Sequence, residues 1–337
     1  MNPFATTTAD VAPPISEFYV RTLLERIDPY LVWGQFGDQK RMRKGHGNQI
    51  KFRRYHALDT TPVELPEGVP PTGKRLNSTD ITQIIRYYAD VVWLTDELIL
   101  ESIDPVMAES AEILGEQAGQ IIDQVHRNYL VAGTNMSGAL DDFGNTTATR
   151  TNIAGRLNKV FMDKAIRILS IAHAREITPG IGLTEKFGGA SVSPSFWAIM
   201  GPQTTFDFNN VPGRTLVKDY AANAGVLMSE RGAYGRIRLV ESGYPRIWLD
   251  GGSSTVPTGI ASNASAVDVH ATVIFGSRSH GAIKMDGRAL EFIVKQLGSS
   301  GTADPVNQIA STAWKAAAAA VITNDNWMLR LEHGVSA

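Results

Sequence analysis

Apolar residues recur with a helical period over two long stretches of the chain. Val106, Ile113, Leu114, Ala118, Ile121, Ile122, Val125 and Tyr129 form one stripe, which predicts a long amphipathic helix. Asp104 suits its N-cap, and Pro105 its first helical position, where a missing N–H leaves nothing unpaired. Glu109, Glu112 and Glu116 sit toward the start, His126 and Arg127 toward the end, as the macrodipole favours. Gly133 is the predicted stop. At 1.5 Å per residue such a helix spans roughly 40 Å, a rod that crosses an ordinary domain. Val160, Phe161, Ala165, Ile168, Leu169 and Ala172 predict a second helix. A shorter one, capped by Ser16, is predicted through Phe18, Tyr19, Leu23 and Leu24 and ended by Pro29; residues 1–16 before it read as a flexible arm. Another helix is expected within 214–231.

Elsewhere the pattern is that of strands. Residues 49–55 and 80–94 are strand-like runs flanking a polar tip that holds Pro62, Pro66, Gly68, Pro70, Pro71 and Gly73. The second run is long beside the usual strand of about 5–6 residues. A loop of this length inside a compact domain is uncommon and carries function. A two-stranded ribbon is marginal alone in water, so it needs a partner surface, and the simplest source is another copy of the chain. Further strands are predicted at 195–200, 236–240, 246–249, 271–276 and 290–294. The last segment reads two ways. Ala316 to Ala320 is helical by propensity, whereas Asn324-Asp325-Asn326 reads as a turn, giving a hairpin of 313–323 with 327–333.

Composition narrows the function. With 337 residues, 43% hydrophobic and 20% charged, the chain is ordinary globular material for one large domain or two moderate ones. The net charge of -2 provides no global field toward nucleic acid or membrane. No run approaches the ~18–20 apolar residues of a membrane helix, and the N-terminus lacks the basic and apolar regions of a signal peptide. The sequons at Asn77, Asn135, Asn145 and Asn263 then read as chance. The absence of cysteine excludes disulfides, thiol catalysis and cysteine-ligated metals. One charge run stands out: Lys40, Arg41, Arg43, Lys44, Lys51, Arg53 and Arg54, with no acid between 40 and 54. It reads either as a solvated face or partner for acidic side chains on a neighbouring subunit, or as a contact for packaged nucleic acid.

Catalytic chemistry finds no foothold. There is no P-loop, no His-Glu-x-x-His, no Gly-x-Ser-x-Gly and no EF-hand loop. Gly45-His46-Gly47 and Gly180-Ile181-Gly182 lack the third glycine of a dinucleotide loop. His173 and Glu176 share a helix face but are too few to hold a metal. His270 and His280 flank a strand and are placed to pair in space, with no nucleophile attached. The expectation is a protein that is not an enzyme and has no cofactor, no metal and no catalytic residue.

The order of elements, with Asn48-Gln49-Ile50-Lys51-Phe52-Arg53-Arg54-Tyr55, Leu76-Asn77-Ser78-Thr79-Asp80-Ile81, Asp104-Pro105, Leu114-Gly115-Glu116-Gln117-Ala118, Asp304-Pro305-Val306-Asn307-Gln308, Trp314-Lys315-Ala316 and the run from Asn324 to Gly334, resembles a known family. It is that of the Hong Kong 97-type major capsid proteins of tailed bacteriophages, and within them the coat proteins named after phage N-four. The resemblance covers nearly the whole chain, strongly over 16–135 and 270–334 and weakly over 180–265. It implies an α+β fold with an N-arm at 1–45, an extended loop at 46–98, a peripheral domain with a spine helix at 99–138, an axial domain at 139–290 and a peripheral C-terminal return at 291–337. The implied function is self-assembly, through pentamers and hexamers in the host bacterial cytoplasm, into an icosahedral virion shell around double-stranded DNA. A portal, a decoration protein and a separate scaffolding protein are the implied further partners, with no membrane. The arm begins almost at once, hence the separate scaffold. Lys51 and Lys74 do not align with the lysine–asparagine cross-links of some relatives, and no cross-link is assigned. On this reading Pro62, Pro66, Pro70, Ile81, Ile85, Tyr87 and Trp93 make inter-subunit contacts, and the basic run contacts DNA or a neighbour's acids. An encapsulin-type nanocompartment shell shares the fold, and a soluble α/β enzyme is the alternative of another class.

Overall fold

The computed structural model describes residues 32–43, 45, 47–65, 67, 68, 70–102, 106–177, 194–219, 227, 229–285, 290–299 and 304–337. The N-terminal arm and its short helix, Lys44, His46, Pro66, the Asp104-Pro105 cap and Gly180-Ile181-Gly182 lie outside them. Among the described residues the backbone forms three sheets and four α-helices. None of these helices is long and apolar enough to cross a membrane.

The five-stranded sheet is organised around one long strand, β15 (Ile309–Ile322). Along one side β15 pairs antiparallel with β4 (Arg86–Thr95). Along the other it pairs first with β14 (Glu291–Lys295) and then with β13 (His280–Met285), which is extended in parallel by β1 (Asp38–Met42). Helical propensity in the alanine run loses to its surroundings. Trp314, Ala316 and Ala318 pack on Leu114, Ala118 and Ile122 of the long helix α2 (Val106–Val131), which follows the short α1 (Asp96–Glu101). Ala317, Ala319 and Val321 point the other way, onto Met42, Phe52, Ile85 and Ile283. Both faces of β15 are thus covered, and its small side chains let helix and strands approach from either side. The helix answers in kind with Ala111, Gly115, Ala118 and Gly119 buried along its contact face. Its 26 residues match the predicted rod.

The nine-stranded sheet runs β6 (Thr146–Thr147), β5 (Met136–Ala139), β16 (Met328–His333), β12 (Val269–Phe275), β7 (Phe196–Met200), β10 (Ile237–Glu241), β9 (Glu230–Tyr234) and β8 (Arg214–Leu216), with β11 (Ile247–Trp248) also on β12. Its strands alternate in the ordinary way. Phe196, Ala198 and Met200 meet Phe161, Met162, Ala165 and Leu169 of α3 (Lys159–Ile171) on one face. Trp197 and Ile199 meet Trp33, Phe36, Leu130 and Val131 on the other. α4 (Pro202–Phe208) follows β7.

Three expectations change. The predicted C-terminal hairpin is two strands in different sheets: the chain leaves the five-stranded sheet at Ile322, turns, and enters the other as β16 between β5 and β12. Asp325 holds this turn by accepting the N–H groups of Thr134 and Asn135 at 3.0 and 3.1 Å, just beyond the end of α2. Among the described residues of 214–231 there is no α-helix: 214–216 and 230–231 are strand, because β9 pairs with both β8 and β10, and Val217–Asp219 is a single 3₁₀ turn, while 220–226 lie outside the described residues; a side chain at Gly232 would strike the Thr215 carbonyl. The single long strand predicted over 80–94 is broken at Ile85, where pairing passes from one partner strand to another. Consequently β13, inside the expected axial segment, lies in the five-stranded sheet, and β16, inside the expected peripheral return, lies in the nine-stranded one.

Charge is buried at the seams. Glu332 accepts a two-pronged contact from Arg150 at 2.7 Å and another from Arg330, whose guanidinium also reaches the Gly133 carbonyl at 2.6 Å. His126, His270, His280 and His333 are all buried. Loss of hydration holds their imidazoles below the ordinary value, to about 4 at His126 and His270 and about 3 at His280. His126 further disfavours charge on His280, and Lys284 disfavours it on His126. Such groups favour the fold above about pH 6.5 and withdraw that support as the pH falls toward 4. Asp123 opposes them: burial raises its carboxyl to about 7, so it favours the fold on acidification. Four imidazoles outweigh one carboxyl, so the net effect is acid destabilisation. We predict that the midpoint of thermal unfolding falls steeply between pH 7 and pH 5, and that His126→Leu makes the fall shallower. Melting curves across that range test this; parallel profiles for the two proteins would refute it.

Candidate assembly interface

β2 (Gln49–Tyr55) and β3 (Ser78–Ile84) pair antiparallel, Gln49 opposite Ile84 and Tyr55 opposite Ser78, to form the predicted ribbon. Its base rests on the five-stranded sheet. Phe52 is buried against Ala317, Ala319 and Ile283, with Ile50 and Ile81 partly covered beside it. Ile85, expected at an interface between subunits, is instead 2% exposed in this same cluster, because the change of partner at that residue turns its side chain into the chain's own core. Beyond the base, every described residue from 56 to 77 is exposed, Pro62 and Pro70 included. Val63, Leu65 and Leu76 stand in solvent there with about two thirds of their surface bare (67%, 67% and 65%).

The sheet face under the ribbon continues past it uncovered. In β4, Leu94 is buried and Tyr88 and Val92 are partly buried toward α2. Tyr87, Val91 and Trp93 alternate onto the opposite side, where Trp93 is 65% exposed. The register sets Val91 beside Ala313 and Ala313 beside Ile293, so the apolar stripe extends across three strands. Among the described residues no strand pairs with the outer edge of β4. The Lys315 ammonium lies over the Tyr87 ring at 5.4 Å, and Trp93 stands exposed beyond it; a long open edge of this kind is a template for another chain. Val91 belongs with the expected Tyr87 and Trp93; the period of two along β4 marks it.

The basic run divides. Arg53 forms a two-pronged ion pair with Asp80, its cross-strand partner, at 2.8 and 2.9 Å, and each holds the other in its charged form. Arg54 donates to the Asn324 side chain at 2.9 Å, tying the ribbon to the turn between the two sheets. Lys40 lies over the Phe52 ring at 4.2 Å. These three, expected to meet DNA or a neighbour's acids, are engaged within the chain, whereas Arg41, Arg43 and Lys51 are exposed. The histidine expectations also resolve. Glu176 pairs with Arg236 rather than with His173, and His270 lies opposite His333, not beside His280. Among the described residues no group of three or more His, Asp or Glu is placed to hold a metal.

The two aromatic positions separate folding from association. Phe52→Ala is expected to destabilise the subunit by about 3 kcal/mol, as truncation of a buried phenylalanine does. Trp93→Ala should change subunit stability by less than about 0.5 kcal/mol yet impair self-association. Denaturant unfolding and sedimentation velocity measure the two effects; intact self-association of the Trp93 variant would remove this face from the interface.

No family model matches the chain, and no curated protein does. Solved structures match over nearly its whole length. The capsid of Ralstonia phage GP4 superposes with a TM-score of 0.64 at 11% identity, covering 90% of each chain. The cyanophage Pam1 capsid gives 0.57 at 13% identity over 100% of both chains. The head structure of Helicobacter pylori bacteriophage KHP40 gives 0.56 at 10% identity over 90% of this chain and 88% of that one. Agreement this extensive at such low identity is agreement in fold: the chain has the Hong Kong 97-type α+β fold of tailed-phage capsid proteins.

Proposed function

We propose that this chain is a major capsid protein that assembles, as pentamers and hexamers, into the icosahedral head of a tailed bacteriophage enclosing double-stranded DNA. The observation that carries the reading is the pair of surfaces that the subunit leaves unfinished: a ribbon tip with bare apolar residues, and the apolar stripe of Tyr87, Val91 and Trp93 beside an open edge. The subunit's own ribbon already covers half of this sheet face. The tip of a neighbour's ribbon is the occupant of the other half.

Charge supports the same contact. From 87 to 126 the chain holds no lysine or arginine, and Glu97, Glu101 and Glu109 are exposed there. The exposed Arg41, Arg43 and Lys51 of one copy then meet the acidic region of the next. Ribbon on one copy and stripe on another make a heterologous contact, which closes into rings and repeats around an axis. Many modest contacts of this kind hold a shell because each subunit is gripped at several places at once.

Within the fold, the collinear motifs favour the coat proteins named after phage N-four. The division follows as N-arm to 45, extended loop over 46–98 with β4 kept in its home sheet, spine helix within 99–138, axial domain chiefly within 139–290, and a return over 291–337 that finishes both sheets. A portal, a decoration protein and a separate scaffolding protein complete the partners.

Deleting 60–74 is expected to leave a folded subunit that no longer builds shells. Circular dichroism and negative-stain microscopy of the purified variant test this, and closed particles of normal size would sink the role given to the tip.

A further inference from the structure

Between the ribbon base and the body lies a cleft of 820 Å³, a volume ordinary for a ligand site. Its walls come from six separate stretches of chain: β1, β2 and the residues after it, Ile81 of β3, the residues just after α3, the turn between β12 and β13, and the turn between β15 and β16. The ribbon contributes Arg53, Arg54 and His56, and the body contributes Lys40 of β1 with His173, Arg175 and Arg278. Asp38 is the single carboxylate in the lining. Arg53 is neutralised by Asp80, and Asp325, the acid in the nearby turn, is turned away to Thr134 and Asn135. No carboxylate of the described residues pairs with Arg175 or Arg278. In a chain of net charge -2, cations have been gathered here against their mutual repulsion.

The backbone of the body wall is set with equal specificity. Four non-glycine residues among those described have a positive φ, and two of them, His173 at 52° and Arg278 at 58°, line this cleft. The other two are Asp250 and Asn307, residue types that adopt this conformation readily, as an arginine does not. Strain of this kind persists only where the surroundings enforce it, and it gathers at functional sites. At His173 the conformation closes α3, with Ala174 N–H donating to the Leu169 carbonyl at 3.0 Å; around Arg278 hydrogen bonds enforce it. The Arg175 carbonyl accepts from Ser277 N–H at 2.7 Å, and the Arg278 carbonyl accepts from the Thr323 hydroxyl at 2.8 Å. Thr323 and Asn324 N–H both donate to the Ser279 carbonyl, and Arg54 joins the ribbon to the same turn.

We propose that this cleft binds phosphate oxygens, with Arg175 and Arg278 as the principal donors, Lys40 beside them on β1, and His56 closing over the anion from the ribbon. Guanidinium forks match a phosphate's geometry in two-pronged contacts. An anion held there bridges ribbon and body, and so fixes the angle at which the ribbon leaves the subunit. The phosphate has two sources, the backbone of nucleic acid or the free ion. The first rests on the reading of the chain as the wall of a DNA container; the second does not.

Titration calorimetry of the purified subunit with inorganic phosphate, and separately with a short DNA duplex, tests the site without requiring assembly. Saturable binding of phosphate alone, with stabilisation against heat, marks the free ion. Tighter binding of the duplex, with affinity falling linearly in log–log against salt, marks the nucleic-acid backbone. In either case Arg175→Gln and Arg278→Asn should each weaken binding about tenfold, the loss of a charged hydrogen-bonded contact. Asparagine tolerates the backbone at 278, so a folded variant is expected there. Absence of binding by both probes, undiminished binding by both variants, or equal displacement by a glutamate-rich peptide would overturn the proposal. None of these outcomes bears on whether the chain builds shells.

Discussion

The structure depends on the two-sided burial of β15. A strand covered on one face tolerates large side chains, because the free side has room for adjustment. This strand has a helix on one side and a ribbon on the other, and the five alanines from Ala316 to Ala320 bring both close. Everything that projects from the subunit is referred to that strand. α2 lies along one face, the ribbon is seated on the other through Phe52, and β4 runs antiparallel along its edge. A larger residue at Ala317 or Ala319 would lift the ribbon base, and one at Ala316 or Ala318 would lift the helix.

The second joint is the turn after β15. In a few residues it passes the chain between sheets, receives Arg54 from the ribbon, and uses Asp325 to fasten the end of α2. Nearby, Arg330 reaches the same helix end and shares Glu332 with Arg150. Ribbon, rod and both sheets therefore meet within a small volume, and the ribbon's direction is set from its root.

What was legible in the chain follows from how local each signal is. The stripes of 106–131 and 159–171 are plain because a helix burying one face repeats its pattern within itself. The apolar runs of β7 and β12 are plain because central strands are buried on both sides. The break at Ile85 is invisible, since Ile81, Ile85 and Leu94 read as one continuous run until the two partner strands are in place, β2 some way before and β15 more than 200 residues later. The alanine run was ambiguous for the same reason: only α2 and the ribbon together make it a strand. Short pairings such as β5 with β6, or β8 with β9, carry Gly, Ser and Thr and have no periodic signature. At the candidate interface, Tyr87 and Trp93 stand out by alternation, and Arg53 is seen to be paired only once the register with Asp80 is known. Arg175 and Arg278 have no local mark at all, because turns bring them together.

The placement of β15 and β16 has a consequence for synthesis. β15 is the strand on which β4, β13 and β14 all pair, and β16 lies between β5 and β12, and both follow in sequence every strand they pair with. Until β15 and β16 have been translated, β4 has no partner and neither sheet can close. Such non-local topologies fold late and slowly. A chain that stops before β15 lacks the centre of one sheet and an interior strand of the other, so its ribbon has no seat and its apolar stripe no sheet to lie on. The order of strands in the sequence thus acts as an inspection step: only a chain translated through β16 completes both sheets and seats the ribbon.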